Sequence, residues 1–137
     1  MKEHRANNVA TNALSQGDLG NRAAEAQAEL RHTARIRALN DKFRATFIGG
    51  TVVLTAGIID LGAACQRLIL QEVQSFSSFE EANDPYREHD FGCVMIEGHK
   101  IFWKIDYYDH SLTCGSEDPA DQTATHRVLT VMLANEY

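Results

Sequence analysis

Asn83 to Asp109, NDPYREHDFGCVMIEGHKIFWKIDYYD, is the stretch whose reading decides the fold. It holds the single tryptophan, three of the four tyrosines and two dense polar groups, NDPYREHD and KIDYYD, separated by apolar runs. Two runs of strand-type residues, 91–96 and 101–108, meet at Glu97-Gly98-His99-Lys100. Glycine at the first central position of a two-residue loop marks a type II′ turn, because that position needs a positive φ. With Gly98-His99 as the loop, Ile96 faces Ile101, Val94 faces Trp103 and Gly92 faces Ile105. The alternate positions pair Met95 with Phe102, Cys93 with Lys104, Phe91 with Asp106 and His89 with Tyr108. Directly paired residues project to one face. The first set is apolar and belongs to the core. The second turns polar away from the loop and gathers His89, Lys104, Asp106 and Tyr108 on one surface, an assignment that a one-residue slip would reverse.

Around this hairpin the chain reads as helix, strand, helix, hairpin, helix. Residues 1–20 are rich in Asn, Ser, Ala and Gly without periodicity and read as a flexible N-terminal arm. Residues 21–137 read as one α+β domain. A first helix over about 21–46 is built from good helix formers, with a narrow apolar side through Leu30, Ile36, Leu39 and Phe43. Its polar remainder is compatible with a homodimer contact. Gly49-Gly50 ends it, and Thr51-Val52-Val53-Leu54-Thr55 reads as a short strand. Asp60 is placed to cap a second helix over about 60–76 whose apolar positions recur every three or four residues. After the hairpin (about 90–97 and 100–108), Asp121 or Thr123 is placed to cap a third helix over about 122–135, with Val128, Leu129, Met132 and Leu133 as its stripe. The expected sheet is small and antiparallel, with about three strands, and the first strand fits either hairpin edge.

Composition sets limits on function. The 137 residues carry a net charge of −6. Residues 1–44 hold eight Lys/Arg against five Asp/Glu, a net of +3, whereas residues 45–137 hold five against fourteen, a net of −9. An acidic body argues against direct nucleic-acid binding and toward basic partners. No run approaches the length of about 18 apolar residues that a membrane span needs. The N-terminus lacks an apolar signal core, so the cytoplasm is the expected compartment. Cys65, Cys93 and Cys114 are scattered and odd in number, which argues against a disulfide or zinc framework.

Several motifs together are distinctive: LNDKFRATFIGGTVVLTAGI, ANDPYREHDFG, FWKIDYYD and EDPADQTATHRVLTVMLANEY. Over about residues 39–137 the chain resembles an uncharacterised bacterial domain-of-unknown-function family of small proteins carried on plasmids, prophages and other mobile elements. The resemblance implies genomic company rather than an activity: small acidic proteins of mobile elements often act against host defences, including CRISPR and restriction systems.

The residues support three readings of the polar groups. In the binding reading the chain inhibits a host defence complex of anti-CRISPR or anti-restriction type, without catalysis or cofactor. Its expected partner is a protein, a nucleic-acid-binding defence complex being one candidate. Its surface comprises Asn83, Asp84, Tyr86, Glu88, His89, Asp90, Asp106, Tyr107, Tyr108, Asp109, Glu117 and Asp118, tyrosine being enriched in interfaces. In the enzymatic reading, a small hydrolase or protein-modifying enzyme uses His89 as general base, Asp106 or Asp90 to orient it, and Tyr108 or Lys104 as helper. An oxygen-rich metal site from His89, Asp84, Asp90, Asp106 and Asp109 would suit Mg²⁺, Mn²⁺ or Ca²⁺, and is the weaker form of that reading. The third reading is a toxin–antitoxin or accessory partner. The structural counterparts are turn-forming Asn83, Asp84 and Asp90, a Lys104–Asp106 ion pair, and Arg127 pairing with an acid of the central stretch.

Overall fold

The computed structural model describes residues 15–137, so the expected arm lies largely outside the described residues. The chain divides into two units, Met1–His32 and Thr33–Tyr137. Helix α1, Gln16–Thr46, crosses that boundary and starts five residues ahead of the expected position. At its start the Asp18 amide donates to Ser15 Oγ at 3.1 Å, which satisfies one orphan N–H of the first turn. Residues 16–32 are exposed.

In the second unit α1 contributes Ile36, Asn40, Phe43 and Arg44 as buried positions, a stripe at helical spacing. Strand β1, Gly50–Leu54, follows. The expected second helix is two elements. A single turn, α2 (Ala56–Ile59), ends with Asp60 as its C-cap, and α3 (Ala63–Gln74) starts after Gly62. Asp60 therefore terminates one helix instead of starting the next. Cys65, Ile69 and Val73 are the buried side of α3.

The hairpin consists of β2, Phe91–Ile96, and β3, His99–Tyr108. Its turn lies one residue earlier than Gly98-His99. Glu97 (φ 50°) and Gly98 (φ 80°) are the central pair, both positive, as a type I′ turn requires. The register consequently shifts by two: Ile96 pairs with His99, Val94 with Ile101, Gly92 with Trp103 and Phe91 with Lys104. A two-residue shift preserves the faces, because side chains alternate with period two. Val94, Ile101, Trp103 and Ile105 still enter the core.

The expected last helix, 122–135, is a strand: β4, His126–Leu133, followed by a single 3₁₀ turn over Ala134–Glu136. The run HRVLTVML satisfies both periods, since Val128, Leu129, Met132 and Leu133 suit a helix while Arg127, Leu129 and Val131 alternate as a strand. β-branched Val128, Thr130 and Val131 tip it to the strand. The supposed cap makes a turn: Asp121 Oδ1 accepts from the Thr123 amide at 2.9 Å and from Thr123 Oγ1 at 2.6 Å. Strand β4 pairs antiparallel with β3 and parallel with β1, giving the order β1-β4-β3-β2. The fold is α+β as expected, but the sheet has four strands and is mixed, and β1 joins β4 rather than the hairpin.

The core lies on one side of this sheet. Phe43, Ile58, Cys65, Ile69 and Val73 from the helices close on Val94, Ile101, Trp103, Ile105, Leu129 and Val131. Gly92 fits only because it lacks a Cβ, which would clash with the Trp103 ring, 2.6 Å from its Cε2 and closer to Nε1. On the opposite side Phe91, Phe102, Asp106, Tyr108 and Val128 are half-exposed.

Candidate functional site

The expected assembly of His89 with Lys104, Asp106 and Tyr108 does not form. Residues 104, 106 and 108 of β3 point to the outer side of the sheet, where Lys104 Nζ pairs with Asp106 Oδ2 at 2.9 Å. Sequence parity would send His89 there too. Its backbone, however, takes φ 55° ahead of β2, which interrupts the alternation. The ring turns to the helix-covered side and stacks on Phe79, with centroids 3.7 Å apart and planes 3° from parallel. Phe79 in turn meets Trp103 edge-on.

What holds His89 comes from α1 and from its own loop. His89 Nδ1 lies 2.8 Å from Asp41 Oδ1. Opposite a carboxylate oxygen, which accepts, the ring proton is assigned to Nδ1. Nε2 lies 3.6 Å from Asp84 Oδ2, beyond a direct hydrogen bond. Asp84 is 5% exposed, and its Oδ1 accepts from the His89 amide at 3.1 Å. The Arg87 amide donates to the Asp84 carbonyl at 3.1 Å. These bonds hold Arg87 (φ 59°) and His89 in the left-handed region that side chains beyond glycine rarely adopt. Arg37 Nη1 reaches across from α1 to the Arg87 carbonyl at 2.7 Å. Arg37, Asp84, Arg87 and His89 wall an open cavity of about 570 Å³, completed by Phe79, Pro85, Glu80 and Glu81.

Beside the cavity a buried polar network fastens α1 to the sheet. Asn40 is fully buried, and its Nδ2 donates to the Glu88 carbonyl at 2.9 Å and to Tyr107 Oη at 2.7 Å. Tyr107 donates to Glu88 Oε1 at 2.7 Å. Arg127 Nε donates to Asn40 Oδ1 at 2.7 Å, Nη2 to the Pro119 carbonyl, and the guanidinium lies over the Tyr107 ring. Arg127 therefore pairs with an amide, a carbonyl and a ring rather than with the expected acid. Burial first, and then the Glu88 bond, push the Tyr107 phenol far above its ordinary pKa. Burial, reinforced by the Glu88 charge, raises the Asp90 carboxyl. Arg44 takes the end of α3, donating through Nη1 to the carbonyls of Val73, Gln74 and Phe76, with Nη2 on Asp41 at 3.1 Å. A cation on these orphan carbonyls also suits the helix dipole.

Other expected site residues shape turns. Asn83 bonds the Glu80 amide and the Ser78 carbonyl. Asp109 accepts from Ser111 Oγ at 2.8 Å and from the Thr113 and Cys114 amides, and these bonds, Ser111 foremost, hold its carboxyl below the usual range. Asp118 accepts from the Ala120 amide. Tyr86 is 77% exposed, and Glu117 is exposed. Among the described residues no group of three or more His, Cys, Asp or Glu is arranged to hold a metal ion, so the five ligands of the metal reading do not converge. No described helix is long and apolar enough to cross a membrane.

The outer face of the sheet has a different character. Phe91 and Phe102 pack at 5.2 Å between centroids, and Tyr137 meets both edge-on at 5.9 and 5.6 Å. Lys100 Nζ lies 5.6 Å over Phe102. The same face carries Met95 (63% exposed), Val53, Tyr108 and the Lys104–Asp106 pair, and Tyr137 itself is 75% exposed. Every helix residue of the core cluster lies on the other side. An open aromatic surface of this kind is the usual mark of an interaction site.

Sequence reasoning missed Arg37, which lines the cavity, and Asn40, Asp41 and Arg44, which hold Glu88, His89 and the end of α3. The available signal was Asn40-Asp41 in mid-helix, where neither residue favours helix and each needs a tertiary reason to be present.

These features define a class: a small α+β domain with helices on one side of a mixed sheet, a polar cavity at the helix–loop junction and an open aromatic face behind it. Residues 54–136 match the family described as a protein of unknown function (DUF3768), and the chain belongs to that family. The matched span includes the cavity loop and three of the four strands in full, while the α1 residues of the cavity precede it. No curated protein and no solved structure matches the chain.

Proposed function

We propose that this protein is a non-catalytic binding protein whose contact surface is the open face of the sheet. The observation that carries the reading is the Phe91–Phe102–Tyr137 cluster on a face that the helix core residues leave uncovered. Clustered aromatic side chains, here two phenylalanines and one tyrosine, are enriched at interface centres. The −9 charge of residues 45–137 favours a partner with a basic surface and speeds its approach. The sequence motifs suggest the setting: a mobile genetic element whose small acidic product blocks a host defence complex, CRISPR or restriction type, in the cytoplasm. The test adds the purified protein, at rising concentration, to a reconstituted interference or restriction complex and follows DNA cleavage. Inhibition that saturates near one protein per complex and disappears with Phe102→Ala supports the reading. Undiminished cleavage across such complexes removes its basis.

A second reading has its own observation. His89 is held at Nδ1 by Asp41 at 2.8 Å and lines a cavity, an arrangement that suits a general base in a hydrolase. The orienting carboxylate is then Asp41 rather than Asp106. His89→Ala with retained fold and unchanged inhibition argues for binding alone, and loss of a measurable turnover argues for the enzyme.

A further inference from the structure

The charges around the His89 cavity are not neutralised by one another. Arg37 and Arg87 line it, and so do Glu80 and Glu81. Among the described residues, ion pairs join Arg44 and His89 to Asp41, His89 to Asp84, and Lys104 to Asp106. None of the four lining groups appears in them. Asp84 is already engaged with the His89 amide and faces Nε2. The cavity thus presents two guanidinium groups and two free carboxylates that face one space without meeting.

We propose that this cavity binds a small zwitterion, a free α-amino acid being the simplest, with its carboxylate on Arg37 and Arg87 and its ammonium on Glu80 and Glu81. A simple anion would leave two carboxylates unpaired beside it, and a simple cation would leave two guanidinium groups. Only a ligand with both charges satisfies both pairs. Phe79 and Pro85 supply an apolar wall for a modest side chain. The volume of about 570 Å³ accommodates such a molecule. Arg37 is pre-positioned, because its Nη1 is bonded to the Arg87 carbonyl, and the two left-handed residues hold the rim in place. The site lies away from the aromatic face and does not depend on the partner proposed for it.

Glycine, L-leucine and L-phenylalanine are titrated separately into the ¹⁵N-labelled full chain, with amide shifts followed by NMR. The expected result is saturable movement of the Glu81, Asp84, Arg87 and His89 amides with at least one of them at millimolar concentration. For that amino acid, the N-acetyl and the amide derivatives, which each lack one charge, should bind at least about tenfold more weakly, as should the protein variants Arg87→Ala and Glu80→Gln/Glu81→Gln. Neither substitution touches a hydrogen bond of the loop, so the folds of the variants should match that of the parent by circular dichroism. No saturable shift with any of the three amino acids would overturn the proposal. So would equal affinity for the N-acetyl or amide derivative, or tight binding of inorganic phosphate alone. Any of these results leaves the open-face reading standing.

Discussion

The two faces of the sheet differ in how their side chains are satisfied. On the covered face each polar group of the Asn40–Tyr107–Glu88–Arg127 network has a partner, and the apolar groups are buried. On the open face Phe91, Phe102 and Tyr137 pack on one another under Lys100, and Met95 and Val53 are exposed. The helix residues of the core cluster all lie on the other face, which is the basis of the contact proposed for this one. The covered face carries the opposite expectation: its residues should matter to folding first.

The largest effect should therefore come from Trp103→Ala. The side chain is fully buried in the core, and removing it should cost about 3–5 kcal/mol, read from urea unfolding. Phe102→Ala, directly across the sheet, should cost only about 1–2 kcal/mol because the ring is half-exposed, yet should abolish partner inhibition. Equal costs would erase the distinction between the faces. Next comes Arg127→Met, which strands Asn40 Oδ1 and the Pro119 carbonyl and should destabilise by about 2–3 kcal/mol.

Asp90 offers a pH test. Its folded pKa lies above the ordinary carboxylate value, chiefly through burial and then through the Glu88 charge. The folded state thus favours the protonated form. The Asp90 contribution is most favourable below the ordinary value and is lost as pH rises from there through the raised one. Asp90→Asn should remove that slope and raise the thermal midpoint at neutral pH, measured across pH 3–8. The smallest effect belongs to Lys104→Ala. Its ion pair with Asp106 is just over a third exposed and should be worth under about 1 kcal/mol, falling with salt.

What the sequence made legible follows the same division. The hairpin faces were readable because period-two alternation survives a turn that is misplaced by one residue and a register that shifts by two. The ends of the hairpin were not. His89 reverses direction through a positive φ, for which the letters EHDF give no cue, and that single angle moves it from Asp106 to Asp41. Segment 122–135 reads as a helix in isolation because its apolar spacing satisfies both periods. Only pairing with both β1 and β3 decides it, and that information is non-local. The two ends of the polar stretch that looked like one surface are in fact a cavity wall and an open face.

The most direct measurement is phage or plasmid survival in cells with an active CRISPR or restriction system, comparing the natural protein, Phe102→Ala/Tyr137→Ala and His89→Ala at equal folded levels. A contact through the open face predicts protection by the natural protein and by His89→Ala, and none by the double variant. Protection lost with His89→Ala but kept by the double variant would contradict it, and so would the absence of protection by the natural protein.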